Sequence, residues 1–380
     1  MTKYLQYYIS SATLIVGFYL INNGEYSPTA FLIGFSLFII CGDHFLARDK
    51  SIFTFDYPFF LNLPIYLNTF LLFFFTFNVI WIFSNNQISW FSDFLNYMMN
   101  TDVLHMKSTL NILDKASLMM ILSLFIGIMG TVPGHELIHR KKNKFDQFIG
   151  KLLLSLSWDC TFAIEHVHGH HKNVGYENDP ATAKRNQNVY KFVIDAIIKE
   201  HYDAWNIELK ELKKRGLGVF TFKNNMIIGY MRSLALTIII YIFGGLLSFL
   251  CFIICSLIAK IFLEVINFTE HYGLVREKGK PVEKRHSWNS NSKVSSLYLF
   301  NVTRHSSHHE KVSLKYWELD PCSNKAPVLP FGYLSMLYLA IFLPKLYHKT
   351  MSNKLKHWDE NFATIEEQKI IKFQLDRNLS

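Results

Sequence analysis

The chain has 380 residues, of which 50% are hydrophobic and 16% aromatic, with 34 phenylalanines. That composition argues against an ordinary soluble enzyme. Five cysteines (Cys41, Cys160, Cys251, Cys255, Cys322) form no Cys-x-x-Cys pair, so a disulfide framework, a zinc ribbon and an iron–sulfur site all lack support. The net charge of +9 is read against membrane topology rather than as a sign of nucleic-acid binding, because membrane proteins concentrate Lys and Arg in cytoplasmic segments.

About 20 apolar residues cross the hydrocarbon core of a bilayer as a helix. Six spans are expected: Leu5–Ile21, Thr29–Phe45, Phe59–Phe83, Ala116–Val132, Met226–Phe243 and Leu246–Phe268. The first is not expected to be a cleavable signal peptide, since its charged start is Lys3 alone and a second span follows at once. The last two are one apolar run interrupted by Gly244-Gly245, where glycine permits a sharp reversal. The loop "NNGEY" after the first span has no Lys or Arg, and Ser84 to Lys115 has only Lys107 and Lys115. The stretch from Gly134 to Asn225 carries 15, Tyr272 to Ser380 carries 17, and the loop after the second span adds Arg48 and Lys50. All the basic segments follow an even number of crossings, so that side and the N-terminus are expected to be cytoplasmic. Between the fourth and fifth spans, Asn188 to Gly216 reads as a helix with a basic last turn and a glycine stop. It can lie on anionic lipid or, the plainer reading, cap the cytoplasmic region. With no internal repeat, residues 1–380 are one domain. Residues 1–133 carry transmembrane helices one to four, 134–225 and 269–380 are cytoplasmic, and 226–268 carry helices five and six.

The 16 histidines are not spread evenly, and the clustered ones all follow an even number of crossings, close to the membrane on that side. "GHELIHR" gives His135 and His139 with Glu136 between them, the His-Glu-x-x-His spacing of zinc proteases. "EHVHGHH" gives His166, His168, His170 and His171, "TEHYG" gives His271, and "RHSSHH" gives His305, His308 and His309. Residues three or four apart share a helix face. His135/His139, His166/His170 and His305/His308/His309 are therefore each expected to aim at one point. A tetrahedral zinc takes four ligands at most. This many imidazoles suits two metals with open positions, and nitrogen-rich ligation suits iron among others. Crowded imidazoles would repel if charged, and a metal that keeps them neutral removes the conflict. His44, His105, His201, His286, His348 and His357 stand apart and read as packed or solvated side chains. Glu136, Glu165, Glu270 and Asp179 lie close to the clusters in sequence and are candidates to orient an imidazole through its other nitrogen, against the alternative of structural carboxylates.

Four blocks resemble the membrane-bound alkane hydroxylases (alkane 1-monooxygenases), within the membrane desaturase/hydroxylase class. They are "GHELIHRKKN", "EHVHGHHKNVGYENDPATA", "NFTEHYGLVREKG" and "KRHSWNSNSKVSSLYLFNVTRHSSHH". The third separates this family from ordinary fatty-acid desaturases, and "APVLPFGYLSMLYLAIF" is similar to the family's C-terminal segment. The resemblance implies an all-α integral membrane protein of about six transmembrane helices with a His-rich cytoplasmic catalytic region. It implies nine ligands to two non-haem iron ions: His135, His139, His166, His170, His171, His271, His305, His308 and His309. His168 stands where the family has a non-ligand, and Ile138 replaces a usual glycine, a change expected to narrow the site or reposition the substrate. The implied reaction takes an alkane, O2 and two electrons to a primary alcohol and water, in a bacterial inner membrane. The alternatives are a related hydroxylase or desaturase acting on acyl chains or methyl-aromatics, an intramembrane zinc protease, and a metal carrier. Spans two and three, rich in aromatics, are expected to line the alkane's route from lipid. The chain shows neither the paired Cys-x-x-Cys of a rubredoxin nor a Gly-x-Gly-x-x-Gly turn. A separate rubredoxin or ferredoxin, fed by an NAD(P)H-dependent reductase, is therefore the expected donor.

Overall fold

The computed structural model describes residues 1–86, 88–322 and 324–379, with side-chain surroundings through residue 376. Among the described residues the regular structure is helical, joined by turns and loops, with one isolated bridge between Asn289 and Val328. The main helices are α1 Thr2–Ile21, α2 Ser27–Phe45, α3 Phe59–Phe83, α4 Ile112–His139, α5 Lys144–Leu154, α6 Val189–Lys214, α7 Asn225–His271, α8 Tyr333–Phe342, α9 Pro344–Asn361 and α10 Ile365–Leu379. Helices α1 to α4 and α7 are long and apolar enough to cross a bilayer, and the chain is a membrane protein.

The 47-residue α7 is two spans. Gly245 breaks it at φ 74°, ψ −170°, a conformation that essentially only glycine adopts. The Oγ1 of Thr237 accepts from the Trp158 indole at 3.1 Å, while Ser256 donates to the Leu156 carbonyl at 2.7 Å. On a straight helix these two residues would lie roughly 28 Å apart at about 1.5 Å rise per residue. They reach neighbouring points, so the chain reverses at Gly245 and α7 is two antiparallel apolar segments, joined where the sequence suggested. The reversal is tied to the bundle by Asn86, which donates to the Phe243 carbonyl, and by Ser248, which donates to the Ile80 carbonyl.

In lipid, helices associate through close packing and polar contacts rather than through the hydrophobic effect. Helix α3 packs against α1 and α7, α2 against α4, and α4 against α7. Phe35, Phe75 and Phe125 interlock α2, α3 and α4 at ring distances of 5.0–5.5 Å. Asn68 of α3 bonds both Ser10 and Ser11 of α1. Asp43 of α2 accepts from the amide and hydroxyl of Ser295 and from Ser335, which fastens the stretch before the last histidine group to the bundle.

Helix α4 departs from the expected span. It continues through a π turn at Ile126–Thr131 and ends only at His139, so His135 and His139 ride on its last turns instead of following it. Hydropathy falls at Pro133, but this proline sits in the first turn of the resumed α segment, where its missing N–H costs little. The helix expected at 188–216 is found as α6, with the Asn188 side chain accepting from the Tyr190 and Lys191 amides. One face, including Phe192, Ala196 and Ala204, is buried and packs against α7. Tyr190, Ile194, Ile198 and Tyr202, spaced four apart, are exposed. An exposed apolar stripe beside spanning helices suits contact with lipid better than a cap in water.

Candidate metal centre

The nine expected histidines converge as two groups. His135, His139, His166, His171 and His308 form one; His170, His271, His305 and His309 form the other. Within each group, one ligand atom per residue lies within 4.8 Å of all the others. Helix α4 supplies the first pair, the 162–173 segment the next three, the end of α7 His271, and a short helix His305–Glu310 the rest.

The partition differs from the expected pairing. His135 and His139, one α turn apart, do meet at 3.0 Å. His166 does not join His170. The backbone at His166–His170 is a π turn, in which the His171 amide donates to the His166 carbonyl. A π turn aligns residues five apart, so His166 meets His171 at 3.0 Å and His170 swings into the other group. The last cluster divides as well. His305 and His309 meet at 2.9 Å in the second group, while adjacent His308 turns to His135 at 3.1 Å and His171 at 3.2 Å in the first.

These contacts are between Nε2 atoms, and that tests whether a metal fits. The Nδ1–H of His271 donates to the His286 carbonyl at 3.1 Å, which leaves its Nε2 a bare lone pair, 3.1 Å from Nε2 of His305. His170 gives its Nδ1 to Asp179 at 3.0 Å, and its buried Nε2 has no protein partner. Lone pairs aimed at a shared point call for a cation between them. With metal–imidazole bonds of about 2.1 Å, ligands 90° apart have nitrogens roughly 3.0 Å apart, and tetrahedral ligands roughly 3.4 Å. The observed 2.9–3.2 Å edges match the 90° arrangement. Electrostatics agree. Burial, reinforced by neighbouring imidazoles, holds His166, His171, His305, His308 and His309 well below the usual histidine range, so they stay neutral and available to a metal.

The surrounding carboxylates take different places. Asp179 accepts from His170 and from Thr182; burial opposes its charge, but the His170 contact holds its carboxyl below the usual range. Glu270 reaches the metal-facing side of the second group, with Oε2 3.3 Å from His305 Nε2. Glu165 is buried with one oxygen unpartnered; burial, then the charge of Asp179, pushes it well above the carboxylate range. Glu136 pairs with Arg140 at 2.8 Å, one turn along the helix, and not with a ring nitrogen. It therefore anchors a cation where the sequence suggested an imidazole. Ile138 packs with Leu154 and Phe162 behind the imidazoles, so its side chain fills the rear wall and not the metal-facing space. His168 is exposed and joins neither group. His286, read as an ordinary histidine, orients His271 through its carbonyl while its own ring bonds Glu367 at 2.9 Å. A backbone contribution of that kind leaves no mark in a residue pattern.

The two groups differ in access. All four rings of the second are buried, whereas His139 and His171 of the first are partly exposed. They border a cavity of about 620 Å³ whose rim carries Arg140, Lys141, Lys142 and Lys315.

The sequence profile of the fatty acid desaturase family matches residues 115–340, which hold every histidine of both groups. Among curated relatives, alkane 1-monooxygenase 1 of Pseudomonas aeruginosa is 36% identical over 250 residues, covering 64% of this chain and 65% of the relative. Alkane 1-monooxygenase 2 of Alcanivorax borkumensis is 36% identical over 239 residues, 62% of each chain. The xylene/toluene monooxygenase hydroxylase component of Pseudomonas putida is 30% identical over 241 residues, 63% of this chain and 64% of that one. The match thus spans a little under two thirds of these relatives. The chain belongs to the fatty acid desaturase family, and within it is similar to the alkane monooxygenases.

Proposed function

We propose that the chain hydroxylates the terminal carbon of alkanes, with two non-haem irons held by the nine histidines. The observation that carries this reading is the pair of buried all-imidazole groups, five and four strong, with edges suited to ligands 90° apart. That geometry and ligand number favour iron over a tetrahedral zinc. The pairing of Glu136 with Arg140 also speaks against a protease, whose glutamate must be free to act as base.

The overall reaction is R–CH3 + O2 + 2 electrons + 2 protons → R–CH2OH + H2O. Bound iron supplies the redox chemistry that no side chain has. The chain's own residues do the rest. Asp179 and the His286 carbonyl fix which nitrogen of His170 and His271 faces inward. The burial of the second group excludes water from its side of the centre. Phe35, Phe75 and Phe125 offer an apolar interior among α2, α3 and α4, in keeping with a substrate that arrives from lipid.

The basic rim beside His139 and His171 is where we place electron entry, from a separate rubredoxin or ferredoxin served by an NAD(P)H-dependent reductase. With Lys and Arg concentrated on this side, we assign it to the cytoplasm of a bacterium, with the protein in the inner membrane. The likeness to the xylene/toluene enzyme supports methyl-aromatics as a second substrate class.

The test is metal analysis with product analysis. Purified protein should carry about two irons per chain, by the ligand count, and His271→Ala should lower that loading. A reconstituted system fed octane, hexadecane, xylene and fatty acids together should return 1-alkanols. Zinc in place of iron, or oxidation confined to acyl chains, would overturn the reading.

A further inference from the structure

A second cavity, of about 670 Å³, lies behind the first histidine pair, bounded by α5, the 160–172 segment, the C-terminal half of α6 and the first two turns of α7. Its wall is of two kinds. Ile138, Leu154, Ile164, Val167, Ile207 and Ile228 give it apolar surface. Lys141, Lys151, Lys172, Lys210, Lys214 and Arg232 give it positive charge. Three acids also line it, and each is engaged. Asp159 pairs with Lys260 at 2.8 Å, Glu208 accepts from the amide and side chain of Asn225, and Glu211 lies 3.8 Å from Lys214. Among the described residues, Lys141, Lys151, Lys172, Lys210 and Arg232 have no ion-pair partner.

Two of these cations are set side by side. The Arg232 guanidinium donates to the Lys151 carbonyl at 3.3 Å. Burial, then the charge of Arg232, holds the Lys151 ammonium below its usual range. Glu208, whose carboxylate is committed to Asn225, opposes this only in part, so an anion resting on both cations lowers the remaining cost.

The level of the cavity identifies the anion. Asn225 begins α7, so Ile228, Gly229 and Arg232 lie in the first turns of a span. The loop that leads into α7 exposes Phe220 and Phe222, close in sequence to Lys223. Exposed aromatics next to cations mark the headgroup boundary of a bilayer. A basic pocket between helices at that level is the geometry that recognises lipid phosphate.

We propose that this cavity binds the headgroup of an anionic phospholipid, its phosphate seated on Lys151 and Arg232 and its glycerol and upper acyl carbons against the isoleucine wall. The apolar wall selects a lipid over inorganic phosphate. The surplus of cations disfavours a zwitterionic headgroup, whose ammonium would meet the outer lysines. The site is distinct from the metal centre and does not rest on the proposed reaction.

The full chain, delipidated in a non-ionic detergent, is titrated with phosphatidylglycerol, phosphatidylcholine or inorganic phosphate while its thermal midpoint is followed. Phosphatidylglycerol should raise the midpoint by several degrees, as expected for a ligand that binds only the folded state. Native mass spectrometry should show one molecule retained. Lys151→Gln with Arg232→Gln should abolish that shift. Because those two positions are partly buried, Lys210→Gln with Lys214→Gln at the exposed rim serves as a second variant, expected to weaken apparent affinity several-fold with no change in the lipid-free midpoint. The distant pair Lys356→Gln with Lys369→Gln should behave as wild type. Equal stabilisation by phosphatidylcholine, a full shift from inorganic phosphate alone, or an undiminished phosphatidylglycerol shift in the first two variants would each overturn the proposal.

Discussion

His170 shows what a single residue carries here. Its Nε2 faces three other imidazoles and its Nδ1 rests on Asp179. Removing such a carboxylate lets the ring rotate and lowers its basicity, a change worth about 10–100-fold in metal affinity in comparable sites. Asp179→Ala should therefore lose roughly one metal of two under mild chelation, while Glu136→Gln, whose partner is Arg140, should keep both. Equal retention in the two variants would mean that Asp179 does not hold the ring. The packed imidazoles also predict a pH dependence. His166, His171, His305, His308 and His309 have folded pKa values held well below the unfolded value of about 6.5. A group depressed in this way contributes stability above its unfolded pKa and loses it as pH falls below that value. The metal-free protein should thus show an unfolding midpoint that drops steadily from pH 7 to pH 5, and a flat profile over that range would contradict the burial. The identities of these histidines were legible because their clustering in sequence is rare. Their division into two groups was not, because it depends on a π turn at His166–His170 that no spacing rule announces.

Among the helices, α7 carries the clearest tests. Its reversal was legible from Gly244-Gly245, because few other residues tolerate the conformation that Gly245 adopts. Gly245→Ala should cost about 1–3 kcal/mol through backbone strain. It should leave metal content unchanged, since the hairpin lies at the opposite end of both halves from His271. Lys260 was not legible. A lone lysine in an apolar run carries no signal, yet its buried ammonium joins α7 to α6 and to the 159 segment. It meets Asp159 at 2.8 Å, Glu200 at 2.7 Å and Glu264 at 2.6 Å. Three carboxylates share one cation, so the two sides of the network are unequal. Lys260→Met strands several buried acids and should destabilise by about 3–5 kcal/mol. Glu200→Gln retains a hydrogen bond and relieves repulsion, and should cost under about 1.5 kcal/mol. Comparable losses in the two variants, measured as thermal midpoints in detergent, would show that packing rather than charge dominates there. The extension of α4 to His139 was hidden for a simpler reason: hydropathy reports where lipid contact ends, not where hydrogen bonding does.

At the scale of the whole molecule, apolar helices, buried histidines and charged loops are arranged along one direction. The bundle of α1 to α4 and α7 occupies the lipid. The histidines cap two of its helices at their ends, and the segments beyond carry most of the Lys and Arg. That layering follows from the alternation of apolar runs and basic segments, and so it could be read from sequence. Which basic residues stand nearest the metal centre could not, because Arg140, Lys141, Lys142 and Lys315 come together only through the fold. Their position decides how electrons would arrive. His139 and His171 are the partly exposed imidazoles of the centre, and Lys141, Lys142 and Lys315 stand at the opening to them, where Arg140 is already held by Glu136 and Asp146. An acidic donor protein would be drawn to that opening over a range set by the Debye length, about 8 Å at physiological ionic strength. Charge at the rim of an encounter surface acts mainly on the association rate. Lys141→Glu with Lys142→Glu should therefore slow reduction of the iron-loaded protein by an acidic rubredoxin roughly tenfold at low salt, within the range such steering spans. The difference from wild type should shrink as salt is raised, and iron content should not change. Stopped-flow reduction at several ionic strengths measures this directly. If wild type and variant were reduced at the same rate at low salt, docking would have to be placed elsewhere on the basic face, and the proposal that electrons enter beside His139 and His171 would fail.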